Sequence, residues 1–274
     1  MTFSIVATDG TAWGVAVASK FLAVGSAVPA AGAGVGAIAT QSYANLAYRP
    51  DGLAHLAAGL SAQETLDALT AADELRDSRQ AGVVDGRGRA ATFSGVGCHD
   101  WAGGVTGDGY AIQGNILTGE EVVTAMKQAW LDSDPKAPFA RRLVAALMAG
   151  DNAGGDSRGR QSSALFVSSA GAGYGGSDIA VDLRVDDHRH PIPELIRLLD
   201  LHDIFFATPD PDSAIPLDGD IAEEVRDRLQ RLGHDDADLE HALAGWASVE
   251  NLEERMQAGK VDPLVLEMLR QKSP

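Results

Sequence analysis

Thr2 is a small hydroxyl residue at the head of an alternating run, Thr2-Phe3-Ser4-Ile5-Val6-Ala7, and it directly follows Met1. Removal of Met1 would leave a terminal threonine carrying a hydroxyl nucleophile and, in its own α-amine, a base. An α-amine titrates near about 7.7 to 8.0, against about 10.4 for a lysine side chain, so part of it is unprotonated at neutral pH. The bland alternative is an ordinary Met-Thr start. Other constellations carry less chemistry. Asp186, Asp187, His188, His190 and His202 supply metal-ligand atoms, yet their spacing matches no H-E-x-x-H or comparable pattern, so no metal is expected. Gly171-Ala172-Gly173-Tyr174-Gly175-Gly176 has the G-x-G-x-x-G spacing, but a strand-like run follows it, so it reads as a hairpin turn. Ser94-Gly95-Val96-Gly97 is not a G-x-S-x-G elbow, which leaves a Ser-His-Asp hydrolase without an anchor. No cofactor is expected.

The elements that would position Thr2 follow from periodicity. Residues 2–8, 12–18, 22–28 and 35–41 read as short strands, with Asp9-Gly10-Thr11 turning between the first two. Ser61 with Glu64 forms a capping box for a helix to about residue 73, and residues 51–60 form a shorter helix before it. A second hairpin, 80–85 with 89–94, precedes a strand at 109–113. Thr118 with Glu121 caps a helix to residue 131, and a helix over 139–149 is stopped by Gly150. Strands at 163–169 and 178–185 and a helix over 193–206 complete the order. Antiparallel hairpins separated by paired helices imply an α+β fold of two antiparallel sheets covered outside by helices, not a doubly wound parallel sheet.

The 274 residues fit one large domain with an appendage. The large domain is expected over 1–206, a proline- and acid-rich linker over 207–217, and a small helical domain over 218–274. In the last, Ile221, Val225, Leu229 and Leu232 recur at helical spacing, Gly233 stops that helix, and Asp262-Pro263 opens the final one.

A formal net charge of −17 without a compensating Lys/Arg cluster argues against nucleic acid as a partner. Cys98 is the sole cysteine, so an intramolecular disulfide and a cysteine-based zinc site are excluded, and a cytoplasmic location is expected. Residues 21–40 are uncharged, but Pro29 and repeated glycines interrupt them, and no membrane span or signal peptide is expected.

Several segments together resemble the uncharacterised family called domain of unknown function 1028, whose fold places it among the N-terminal nucleophile (Ntn) hydrolases. They are residues 1–7, Ser19-Lys20-Phe21, Gly34-Val35-Gly36-Ala37 through Thr40-Gln41, and Gln113-Gly114-Asn115-Ile116-Leu117. Gly155-Asp156-Ser157-Arg158-Gly159-Arg160-Gln161-Ser162 and Arg184-Val185-Asp186-Asp187-His188 complete the set. The segment from about 218 to 274, with Arg228-Leu229-Gln230-Arg231-Leu232-Gly233 and Glu250-Asn251-Leu252-Glu253, resembles a peptidoglycan-binding module carried by some members.

The resemblance implies a four-layer αββα sandwich and hydrolysis of a small amide or peptide by Thr2; it names no substrate. On that fold Lys20 would approach Thr2 and lower the pKa of its amine, against the alternative of an ordinary exposed lysine. Asn115 would donate to an oxyanion, or simply turn the chain before Thr118. Gln41, Ser42 and Asn45 would bind substrate or satisfy loop backbone. Arg160 would clamp a substrate carboxylate, with Asp156 orienting it or the amine and Gln161 and Ser162 beside them; a structural ion pair accounts for the same residues. A peptidoglycan fragment and a second copy of the chain are the further partners expected. Two other functions stand beside the hydrolase: a non-enzymatic ligand- or glycan-binding protein on this scaffold, and a metal hydrolase using the His188 region.

Overall fold

The computed structural model describes residues 2–207, 209–210 and 212–274; Met1, and Thr208 and Pro211 of the expected linker, lie outside the described residues. Two compact units divide at Leu198/Leu199.

The first unit is a sandwich. Its six-stranded sheet comprises β1 (Thr2–Thr8), β2 (Ala12–Ser19), β7 (Gly103–Gly107), β8 (Tyr110–Asn115), β9 (Ser162–Ser169) and β10 (Ile179–Val185), in the order β10-β9-β2-β1-β8-β7. The four-stranded sheet runs β3 (Pro29–Gly32), β4 (Gly36–Ser42), β5 (Arg79–Asp85), β6 (Ala90–Ser94). Every pairing is antiparallel. Helices α1 (Tyr48–Ala57) and α2 (Ala62–Ala71) pack on the smaller sheet, and α3 (Glu121–Asp132) and α4 (Phe139–Asn152) on the larger. The layers are therefore α, β, β, α, as the hairpin-and-helix order implies.

Covering both faces of both sheets explains why β1 and β2 are buried at every residue instead of alternating. Phe3 faces α4, where Gly150 leaves room for it and for Met126. Between the sheets Val6, Val15, Val17, Ala37, Ala39, Val84 and Ala111 form a core of small side chains. Under α1 and α2, Ile38, Leu66, Leu69 and Val83 form another. A fully buried aliphatic of this kind contributes about 1.5–3 kcal/mol.

Local chemistry sets most element ends. Ser61 and Glu64 make the expected reciprocal capping box of α2. In the β1–β2 turn Asp9 Oδ1 accepts from the backbone N–H groups of Thr11 and Ala12 at 2.9 Å each, and Gly10 takes φ 92.

Three expectations are corrected, and one strand had no expectation at all. Residues 22–28 are not a strand: Val24–Ser26 form one 3-10 turn, and Gly25 crosses so close to the larger sheet that a Cβ would lie 2.6 Å from that of Ala164. Gly150 does not stop α4, which continues to Asn152; the glycine is kept inside the helix by its contact with Met126. Thr118 does not cap α3, whose N-cap is Glu120 without a side-chain bond. β7 carries three glycines in five residues and offers no strand signal; pairing with β8 creates it.

The second unit contains the end of α5 (Pro191–Phe206), α6 (Gly219–Arg231), α7 (Leu239–Val249), α8 (Pro263–Lys272) and a two-strand ladder of β11 (Ile215–Pro216) with β12 (Lys260–Val261). Leu229, Leu243, Trp246 and Leu269 lie in its core. Asp262 caps α8 ahead of Pro263, as expected, and also pairs with the partly buried Arg255 at 3.1 Å. Arg255 in turn donates to the carbonyls of Asp203 and Ile204, satisfying the last turn of α5.

Glu224 of α6 accepts from Arg270 of α8 and from Arg228, each at 2.8 Å. These contacts, Arg270 foremost, lower its pKa to about 2. A carboxylate lowered in the folded state contributes stability above its unfolded value near 4.5, and loses it as pH falls toward 2. Amide-exchange protection of α6 and α8 is expected to drop between pH 5 and 3 relative to a Glu224→Gln variant; parallel curves would refute the clamp.

Candidate functional site

At one end of the inter-sheet layer the small apolar residues give way to amides and hydroxyls. Thr2 and Ser4 of β1 stand opposite Asn115 and Gln113 of β8, and Gln41 of β4 and Gln80 of β5 meet them from the other sheet. Period-2 alternation puts Thr2, Ser4 and Val6 on one face and Phe3 and Ile5 on the other.

Gln80 is the hub. Its Nε2 donates to the carbonyl of Gly114 at 2.7 Å, and its Oε1 accepts from Gln41 Nε2 and Asn115 Nδ2, both at 2.8 Å. A carbonyl only accepts, so Gly114 fixes the orientation of Gln80, and Gln80 then fixes those of Gln41 and Asn115. Ser4 donates to Gln41 Oε1 at 2.7 Å and accepts from Gln113 Nε2 at 2.6 Å. Gly82 makes room for Gln113, whose Oε1 would lie 2.0 Å from a Cβ there. Gln41 and Asn115 also reach the main-chain carbonyl of Thr2, at 3.3 and 3.5 Å. Among the described residues nothing donates to the buried Oδ1 of Asn115.

Thr2 is 5% exposed, and its Oγ1 shares a 3.2 Å hydrogen bond with Ser19 Oγ. It lines a cleft of about 420 Å³ together with Gln41, Ser42, Phe21, Val24, Val28 and Arg79. Arg79 is anchored by Asp73 at 2.9 Å and by the carbonyl of Tyr43. Hydrogen bonding from Arg79, supplemented by Asn45 and the N–H of Leu75, holds the Asp73 carboxyl well below the usual carboxylate range despite its burial.

Of the expected site residues, Thr2, Gln41 and Ser42 line this cleft and Asn115 holds the backbone of Thr2. The Asn115 amide N–H groups point to Gln80 and to Thr2 O, leaving an acceptor and not a donor unengaged. Lys20 is placed elsewhere: its ammonium lies 3.4 Å from the carbonyl of Arg160, in a separate cleft with Asp187, His188, Arg189 and His190. Arg160 pairs with Asp151 at 2.8 Å, an ion pair within the protein that raises its pKa. Asp156 accepts from the Lys20 N–H at 2.6 Å and the Arg158 N–H at 2.9 Å. Ser162 donates to Phe21 O and accepts from Val24 N–H. Asp156 and Ser162 thus pin the segment leaving Ser19, which positions the Thr2 contact from behind. Gln161 donates to Asp187, and Asn45 to Asp73. Among the described residues, no three His, Cys, Asp or Glu side chains converge as metal ligands.

Sequence reasoning missed Ser19, Arg79, Gln80, Gln113 and Ser4. A signal existed: polar residues recur every second position at the same end of otherwise apolar strands, as in Thr2/Ser4 and Gln113/Asn115.

The fold and site together define an αββα sandwich with a buried threonine at the open end of its central strand. The chain belongs to the family of unknown function DUF1028, whose model matches residues 2–195. A second model, described as "Putative peptidoglycan binding domain", matches residues 205–269. The crystal structure of a DUF1028 protein from Silicibacter pomeroyi is 31% identical, with a TM-score of 0.66, covering 81% of this chain and 92% of that one. No curated protein matches the chain. Among the described residues no helix is long and apolar enough to cross a membrane.

Proposed function

We propose that this protein is an N-terminal nucleophile amidohydrolase acting on a small amide or peptide. One observation carries the reading: Thr2 lines a cleft at the end of the inter-sheet layer, while the neighbouring amides hold its main chain in place. The mature chain would begin at Thr2. Oγ1 then attacks the substrate carbonyl carbon and passes its proton to the α-amine. The tetrahedral adduct collapses as the C–N bond breaks, and the resulting ammonium protonates the departing amine. Water next attacks the threonine ester, the amine takes its proton, and the acid leaves as Oγ1 regains a hydrogen. Asn115 and Gln41 act as positioning residues for Thr2. The C–N bond cleaved needs no metal or cofactor in this scheme.

For the C-terminal unit we propose recognition of a peptidoglycan-type fragment, supported by the family model over residues 205–269. The lone Cys98 favours the cytoplasm, where such fragments are wall precursors or recycled pieces.

Intact-mass analysis of protein from its native host, followed by treatment with a β-lactone, tests the hydrolase reading. A chain starting at Thr2 that gains one acyl group on the Thr2 peptide is expected. A residue retained before Thr2 removes the base and leaves the non-enzymatic binding protein as the better account.

A further inference from the structure

The wall of the Thr2 cleft specifies what sits in it. Val24, Ala27, Val28 and Leu46 supply the surface, and Phe21 and Tyr43 stand at the mouth, 54% and 62% exposed. Leu46 is likewise half exposed. Three large apolar side chains therefore face water at the rim of one cleft.

The amide and the guanidinium on this wall are already engaged. Gln41 serves Ser4, Gln80 and two carbonyls, and Arg79 is neutralised by Asp73. A carboxylate or ammonium at the far end of an acyl chain would lose its hydration against Val24, Val28 and Leu46, where Arg79 is committed to Asp73 and the Thr2 amine to the reacting carbonyl. An aliphatic or aryl acyl chain would lose nothing and would cover the exposed rim.

We infer that the ligand of this cleft is a neutral amide with an apolar acyl group, its carbonyl at Thr2 Oγ1 and its chain along Val24, Val28 and Leu46. The inference rests on the hydrolase reading for the word substrate, and its test is separable from that reading. Binding of acetamide, butanamide, hexanamide and octanamide to the Thr2→Ala protein is measured by ligand-observed NMR, with adipamate as a hexanamide analogue ending in a carboxylate.

Affinity is expected to rise about fourfold per added methylene until the cleft is full. Adipamate should bind at least about tenfold more weakly than hexanamide. Ala27→Phe should abolish the gain from octanamide while sparing acetamide, and the rim variant Leu46→Asp should flatten the series with an unchanged circular-dichroism spectrum. Affinity independent of chain length, or adipamate binding as well as hexanamide, would overturn the inference. Length-dependent binding to Thr2→Ala with no turnover of any amide by the mature protein would sink the hydrolase and keep the ligand class. Turnover confined to charged acyl groups would do the reverse.

Discussion

Replacing Thr2 by alanine is expected to reduce amide hydrolysis by roughly four to six orders of magnitude, the range seen when an enzyme loses its nucleophile. The substitution removes Oγ1, the single atom proposed to bond the acyl group, and leaves the α-amine with no proton to accept. The fold should survive. That hydroxyl shares a 3.2 Å hydrogen bond with Ser19, and loss of such a bond costs about 1 kcal/mol. Thr2→Ser retains the hydroxyl and should keep measurable turnover, so the pair separates chemistry from stability. Rates on a panel of acyl anilides, read with the unfolding midpoint of each variant, check the expectation. Thr2→Ala hydrolysing at the parental rate would end the nucleophile assignment.

Gln80→Ala is expected to destabilise the sandwich by about 3–5 kcal/mol. Gln80 is 0% exposed and bonds at once to Gln41, Asn115, Ser94 and Gly114. Truncation leaves the Gln41 and Asn115 amides with only their longer contacts to the Thr2 and Gln113 carbonyls and takes a donor from the Gly114 carbonyl, and each such loss costs about 1–3 kcal/mol. The same change should loosen Asn115 and Gln41, which hold the Thr2 carbonyl, so turnover should fall further than the folded fraction accounts for. Urea denaturation followed through the sandwich transition measures the first effect, and kcat on the fully folded population the second. A loss below about 1 kcal/mol would show that the amides are interchangeable with packed apolar atoms.

Much of the sandwich was legible in the chain. Short apolar runs at 2–8, 12–18 and 80–85 identify strands because burial on both sides demands apolar side chains on successive residues. The Ser61/Glu64 box and the Asp262-Pro263 start are local hydrogen-bond solutions, independent of what packs on them. The glycine-rich β7 and the 3-10 turn at Val24 were not legible, since neighbours supplied by the tertiary fold create both. Gly150 misleads for the same reason: its missing side chain serves Met126 on another helix and not a helix end.

The residues of the site divide along that line. Thr2 stands out from residue type and position alone, because hydroxyl and amine chemistry belongs to the residue itself. Which side chains serve it depends on pairings between residues far apart in the chain: β1 with β8 sets Asn115 opposite Thr2, and the facing sheet brings Gln41 and Gln80. Those same pairings send the Lys20 ammonium to Arg160 and commit Arg160 to Asp151. Charge pattern along the chain carries no information about such distances, since electrostatic and hydrogen-bond partners are chosen only when sheets stack. The sequence by itself determined the nucleophile candidate and the antiparallel layers; the stacking of two sheets decided the cleft, its apolar wall and the amide hub beneath it.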